Sequence, residues 1–233
     1  MTAAQQLPLN LGYRSAYGRE DFLVTPCNSE AVLMLETSET WPNRVMVLYG
    51  ASGAGKTHLT HVWREMIGAI LINGIDLDEA RFEDLIGDGR AIVVDNADDV
   101  LDARILFHLY NLCRENNRFL LLTAKRPPAR WGITLKDLAS RLKSTPIAEL
   151  GEPDDDLIGA VLMKVFTDRQ LNVGPDVLGY VLARMERSFA ALNDFVDRAD
   201  ELSLAHKKNI TVPLARQVLN QMELAQEELK EIT

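Results

Sequence analysis

Two textures of apolar and polar positions divide this chain. From about residue 44 to residue 148, short apolar runs alternate with segments whose apolar residues recur every three or four positions, the pattern of parallel strands crossed over by helices. Residues 45–49, 69–72, 91–94, 119–123 and 145–148 are expected as buried strands. Leu59, Val62, Trp63, Met66 and Ile67 fall on one helical face, and Ile105, Leu106, Leu109, Leu112 and Cys113 on another, so two helices are expected to cover the sheet. After Gly151-Glu152-Pro153 the strand texture stops and helical periods run from 154 to about 231. Asp154, Asp155 and Asp156 open the first of these helices, where carboxylates complement the helix dipole, and Thr211 with Pro213 starts the last. The expected fold is α/β: a parallel sheet with helices on both faces over 17–150, then a small helical subdomain over 151–233. Residues 1–16, polar and Pro-containing, are expected as a flexible tail.

Composition narrows the classes of function. A chain of 233 residues with 47% apolar content can bury one substantial core or one large and one small one. The formal charge of -9 argues against a main affinity for phosphate backbones, which Lys and Arg would have to supply. Cys27 and Cys113 are far apart and form no CxxC pair, so neither a disulfide framework nor a zinc site is expected. The apolar runs are too short to span a membrane and the start of the chain has no signal-peptide pattern, so the expected location is the cytoplasm.

Chemistry concentrates after the first strand. Gly50-Ala51-Ser52-Gly53-Ala54-Gly55-Lys56-Thr57 is a complete GxxxxGK[ST] loop between a strand and a helix. Glycines allow the backbone N–H groups to turn inward around a phosphate, and the helix offers its N-terminus to the same anion. Gly50, Ser52, Gly53, Ala54, Gly55, Lys56, Thr57 and His58 are expected to line ADP or ATP, with Lys56 on the β and γ oxygens and the Thr57 hydroxyl on Mg²⁺. Asp95 closes the apolar strand at 91–94, where a carboxylate can hold Mg²⁺ through water at the sheet's carboxyl edge. The next residue is Asn96, an amide that cannot take a proton from an attacking water, so intrinsic hydrolysis is expected to be slow at most unless Asp98 substitutes.

The stretch from Leu48 to Leu59, including Thr57-His58-Leu59, resembles the phosphate loop of the bacterial replication initiator DnaA, an AAA+ ATPase. The resemblance extends over the AAA+ core and helical lid, roughly 17–219. Beyond it stands an acidic helical segment where the initiator has a helix-turn-helix DNA reader. Together with Asp95-Asn96, this is similar to the Hda family, the regulatory inactivators of DnaA. Gln6-Leu7-Pro8-Leu9-Asn10-Leu11 resembles that family's QLxLxL motif for the DNA polymerase III sliding clamp (beta subunit); Gln6, Leu7, Leu9 and Leu11 are the expected contacts, as an extended peptide fills an apolar cleft.

The resemblance also implies roles for two arginines. Arg141, in Leu138-Ala139-Ser140-Arg141-Leu142, matches the arginine finger that reaches a phosphate held by a neighbouring subunit; an ordinary ion pair with Asp137 is the alternative. Arg187 matches the sensor II arginine, expected to touch nucleotide in cis, against the alternative of a solvated side chain. Lys125 stands where the initiator has an acid in its sensor I region, so that role passes to Thr123 or is lost. Adenine contacts are expected from 22–28, with Leu23 and Val24 foremost. The implied function is a regulator that binds ADP or ATP with Mg²⁺, docks on the clamp, meets DNA mainly through it, and promotes hydrolysis of DnaA-bound ATP at the nucleoid or replisome. A homo-oligomer and a weak ATPase of its own remain open. Rival readings are an autonomous AAA+ ATPase, such as a helicase loader or transposition helper, and a small-molecule P-loop kinase.

Overall fold

The computed structural model describes residues 24–82, 84, 89–100, 102–206 and 209–231. Gln6, Leu7, Leu9, Leu11 and Leu23 lie outside them. Five parallel strands, β1 (Val45–Tyr49), β2 (Ala69–Asn73), β3 (Ala91–Asp95), β4 (Phe119–Ala124) and β5 (Ile147–Glu149), form one sheet in the order β2-β3-β4-β1-β5. Every position of β4 is buried, because it lies inside the sheet with helices over both faces.

Side-chain alternation sorts the sheet into two layers. Val45, Val47, Ile92, Val94, Leu120 and Leu122 share a core with Leu106, Leu109, Tyr110 and Cys113 of α3 (Ala103–Glu115) and with Leu138 and Leu142 of α4 (Lys136–Lys143). Met46, Leu48, Ala91, Val93, Phe119 and Leu121 pack instead with Leu59 and Trp63 of α2 (Lys56–Ile67) and Ala31 and Leu35 of α1 (Ser29–Glu36). Trp41 stacks on Trp63 at 5.3 Å and meets Phe119 edge-on at 6.0 Å.

Two details depart from the periodicity. Met66 is 47% exposed, at the rim of an apolar cavity of about 200 Å³ between α1 and α2. The last strand begins at Ile147, two residues later than expected, since the Thr145 N–H and hydroxyl close the end of α4 on Leu142 and Arg141 carbonyls, and Pro146 has no N–H to give.

The remaining helices, α5 (Asp155–Asp168), α6 (Pro175–Leu182), α7 (Phe189–His206) and α8 (Val212–Glu231), pack around Leu162, Phe166, Val181, Leu192, Phe195 and Val218. Asp154 caps α5 by accepting the Leu157 N–H at 2.8 Å, and Pro175 occupies the first turn of α6 where its missing N–H costs nothing. A single parallel bridge, Val173 to Ile210, joins the loops before α6 and α8. Among the described residues no helix is long and apolar enough to cross a membrane.

Candidate functional site

The loop between β1 and α2 stands at the carboxyl edge of the sheet. Its backbone can take its shape only with glycine at key positions: φ is +78° at Gly53 and +98° at Gly55, and a Cβ on Gly50 would lie 2.4 Å from the Leu150 carbonyl oxygen. Gly55 leads directly into α2, so Lys56 and Thr57 occupy its first turn. Lys56 is 7% exposed, and its ammonium donates to the carbonyls of Gly50 at 2.7 Å and Ala51 at 2.8 Å. Two of its three N–H donors are held within the loop, which leaves the third for a ligand. Burial lowers its pKa from the ordinary lysine value, opposed by the carboxylates of Asp95 and Asp98. Ser52 and Thr57 are exposed, Ala54 is buried and His58 half-buried; burial first, then His61, lowers the His58 pKa.

Asp95 ends β3 on the same edge, and the neighbouring strand holds it. The Thr123 hydroxyl, fully buried on β4, donates to Asp95 Oδ1 and accepts the backbone N–H of Asn96 at 3.0 Å. The Asn96 amide lies 3.5 Å from the other Asp95 oxygen, on a left-handed backbone with φ +54°. Asp98 is held at the exit of β4, where its carboxylate, 2% exposed, accepts the Lys125 N–H at 3.2 and 3.3 Å and faces Arg126 Nε at 3.9 Å. Lys125 itself pairs with Asp99 at 3.3 Å.

The helical region touches this loop through residues that carry no motif. The Phe189 N–H donates to the Gly53 carbonyl at 3.0 Å, the Ser188 Cβ is 2.8 Å from where a Gly53 Cβ would be, and the Phe189 ring is 2.8 Å from the same point on Gly55. Arg187, one residue earlier, directs its guanidinium to Asp155, at 2.6 Å and 2.9 Å. The sequence marked Arg187; the adjoining Ser188 and Phe189 contacts had no signal beyond adjacency.

These groups fit a nucleotide phosphate with Mg²⁺: a loop whose backbone shape and packing admit only glycine at Gly50, Gly53 and Gly55, an ammonium with a donor to spare, an exposed Thr57 hydroxyl and a carboxylate oriented by Thr123. Among the described residues no three His, Cys, Asp or Glu gather as a metal cluster. Val24 is 58% exposed and lines the α1–α2 cavity with Leu59, Val62 and Trp63, on turns of α2 beyond Lys56.

The lid-domain model of Hda matches residues 154–219, the stretch that carries α5, α6, α7 and Arg187. The chain superposes on domain III of the Thermotoga maritima replication initiation protein DnaA with a TM-score of 0.77 and 19% identity, covering 88% of this chain and 96% of that one. The fold is that of DnaA domain III, and its helical region matches the Hda lid. A structure of the replication initiator DnaA bound to AMPPCP and single-stranded DNA shares the fold at a TM-score of 0.65 and 18% identity, over 82% of this chain and 68% of that one. So does the Thermotoga maritima RuvB Holliday junction branch migration motor, at 0.71 and 15% over 88% and 71%. At these identities the likeness is one of fold.

Arg141 belongs to a different face of the fold from the loop. It lies on α4, and its guanidinium packs 5.0 Å from the Phe107 ring centre and 5.4 Å from that of Tyr110, both on the middle turns of α3. Among the described residues no carboxylate pairs with it, Asp137 included. The structure thus brings Gly50, Ser52, Gly53, Ala54, Gly55, Lys56, Thr57, His58 and Asp95 to one edge of the sheet, puts the Arg187 backbone beside it, and leaves Arg141 on the α3–α4 face.

Proposed function

We propose that this chain binds ADP or ATP with Mg²⁺ and acts on replication initiation by promoting hydrolysis of ATP held by DnaA. The carrying observation is the end of β3: Asn96 places an amide beside Asp95, and Asp98 is committed to Lys125 and Arg126. A site so furnished holds phosphates well and activates water poorly. The Hda lid match and the DnaA-like fold support the same reading.

Lys56 would neutralise the terminal phosphates, and Thr57, with Asp95 through water, would hold Mg²⁺, which when bound supplies positive charge between the phosphoryl groups. Arg141 would serve the partner's phosphate in trans, and its place on the α3–α4 face, away from its own loop, suits that role. Gln6, Leu7, Leu9 and Leu11 would dock on the beta sliding clamp, which brings the chain to DNA indirectly, in the cytoplasm at the nucleoid or replisome. The nucleotide-binding unit would end at Leu150 and the lid begin at Gly151.

The test is conversion of labelled ATP to ADP on DnaA, with clamp loaded on DNA, alongside turnover by the chain alone. The reading requires conversion that depends on the clamp and on the tail, and that is lost in the Gln6→Ala, Leu9→Ala double variant. Rapid ATP turnover without DnaA would favour an autonomous AAA+ ATPase instead.

A further inference from the structure

Arg187 and Asp155 hold each other in a geometry that a phosphate can take over. The guanidinium reaches both carboxylate oxygens, Nε to Oδ1 at 2.6 Å and Nη2 to Oδ2 at 2.9 Å, and a phosphate offers the same fork a matching pair of acceptors. Arg187 leaves the chain one residue before Ser188, which abuts Gly53, and two before Phe189, whose N–H is bonded to the Gly53 carbonyl at 3.0 Å. Its base is therefore anchored beside the phosphate loop. Asp155 comes from a different element, the first turn of α5. Both side chains are more than half exposed, at 61% and 57%, and an ion pair in that setting is readily given up. Glu152 adds to the field on the guanidinium, but the two bonds are to Asp155.

We propose that Asp155 competes with bound nucleotide for Arg187: on entry of a nucleoside triphosphate the guanidinium exchanges the carboxylate for the terminal phosphate, and this exchange sets the triphosphate affinity. The inference rests on the nucleotide-site reading above. Binding is weakened by the fraction of molecules in which Asp155 keeps the arginine, so removing the competitor tightens it. The carboxylate also holds the arginine at the correct end of the lid before nucleotide arrives, so exchange replaces one fork partner by another and needs no search by a free side chain.

The experiment is calorimetric binding of ADP and a non-hydrolysable ATP analogue, with Mg²⁺, to the full chain and to Asp155→Asn, Arg187→Ala and the double variant. Asp155→Asn should bind the triphosphate about three- to fivefold more tightly, the factor an exposed pair of this class is worth, and the gain should shrink as salt is raised. Arg187→Ala should bind it more weakly, and adding Asp155→Asn to Arg187→Ala should change nothing. If Arg187→Ala binds like wild type, the exchange falls together with the role given to Arg187. If Arg187→Ala weakens binding while Asp155→Asn does not tighten it, the exchange alone falls. A gain from Asp155→Asn that survives without Arg187 means simple charge repulsion of the phosphate, and also overturns it. Asp155→Glu retains the charge and should bind like wild type, which separates the competitor's role from any effect on the start of α5.

Discussion

Thr123 ties the end of β3 to β4: its one hydroxyl donates to Asp95 and accepts from the backbone N–H of Asn96 at 3.0 Å. The bond fixes the orientation of the carboxylate proposed to hold Mg²⁺. Thr123 is fully buried, so Thr123→Val, equal in shape, strands both partners and should lower stability by about 1–3 kcal/mol. Thr123→Ser keeps the hydroxyl and should restore Mg²⁺-dependent nucleotide affinity lost in the valine variant. Urea unfolding and calorimetry read the two effects; a valine variant as stable and as tight-binding as wild type would refute the role.

Asn96 sits at φ +54°, a conformation that Asp tolerates better than Glu. Asn96→Asp should therefore raise intrinsic ATP turnover, since it restores a carboxylate beside the attacking water, and Asn96→Glu should raise it less. Steady-state phosphate release measures both. Flat turnover in both variants would mean that geometry, and not the missing acid, limits hydrolysis.

Two glycines separate steric need from backbone need. A Cβ on Gly50 would lie 2.4 Å from a carbonyl oxygen of Leu150, which belongs to β5's exit and cannot swing aside as a side chain tip would. Gly68, at φ +69°, closes α2 with nothing within 4 Å. Gly68→Ala should cost about 1–2 kcal/mol of backbone strain and leave nucleotide binding intact. Gly50→Ala should cost more and abolish binding as well, because the loop itself must shift. Equal losses of stability and unaltered binding in both would contradict this assignment.

The inner strands were legible because they are buried on both faces, and edge strand β2 because its four-residue apolar run stands between Gly68 and Asn73: β1 matches its expected bounds, and β2, β3 and β4 each extend by one residue, to Asn73, Asp95 and Ala124. β5 was displaced because it is an edge strand with one buried residue, Ala148, between exposed Ile147 and Glu149. The phosphate loop was legible since its chemistry is local in sequence. The contacts of Ser188 and Phe189 with Gly53 and Gly55 join residues more than a hundred positions apart through packing, and no local pattern encodes that. Asp98 looked available from its place in the sequence; the Lys125 N–H and Arg126 that occupy it come from the neighbouring strand's exit.

Burial in the α3 layer pushes the Cys113 thiol up to about 12 from 9.0. A raised folded pKa means stability that is complete below pH 9 and is lost as pH rises toward 12, because the unfolded thiol ionises first. Above pH 9 the wild type should lose up to about 1.4 kcal/mol per pH unit from this group. Cys113→Ala begins lower, by about 1–2 kcal/mol for the small cavity, and lacks that loss, so the two urea-midpoint curves should converge with rising pH. Parallel curves would show that the thiol is not held neutral.

Arg141 packs against Phe107 and Tyr110 at 5.0 and 5.4 Å, so a test of its trans role must first separate packing from chemistry. Stacking on rings at a half-exposed site contributes about 0.5–1 kcal/mol, which leaves Arg141→Ala folded. The chain's own nucleotide affinity should not change, because Lys56, Thr57 and Asp95 lie at the strand ends and Arg141 beside the middle of α3. Conversion of DnaA-bound ATP should fall sharply, as trans arginines in other nucleotidases contribute roughly 10³ to 10⁵ in rate. Arg141→Lys keeps the charge and still packs on the rings, yet offers a point charge where the guanidinium offers two parallel donors, so it should rescue stability and not conversion. Phe107→Leu supplies the converse: the finger's chemistry intact and its shelf removed, with conversion lowered less than in Arg141→Ala. Labelled ATP on DnaA, followed with loaded clamp and each variant in turn, decides the matter. Equal conversion by wild type, Arg141→Ala and Arg141→Lys would remove the finger role, and loss of the chain's own ADP binding in Arg141→Ala would move the residue into its own site.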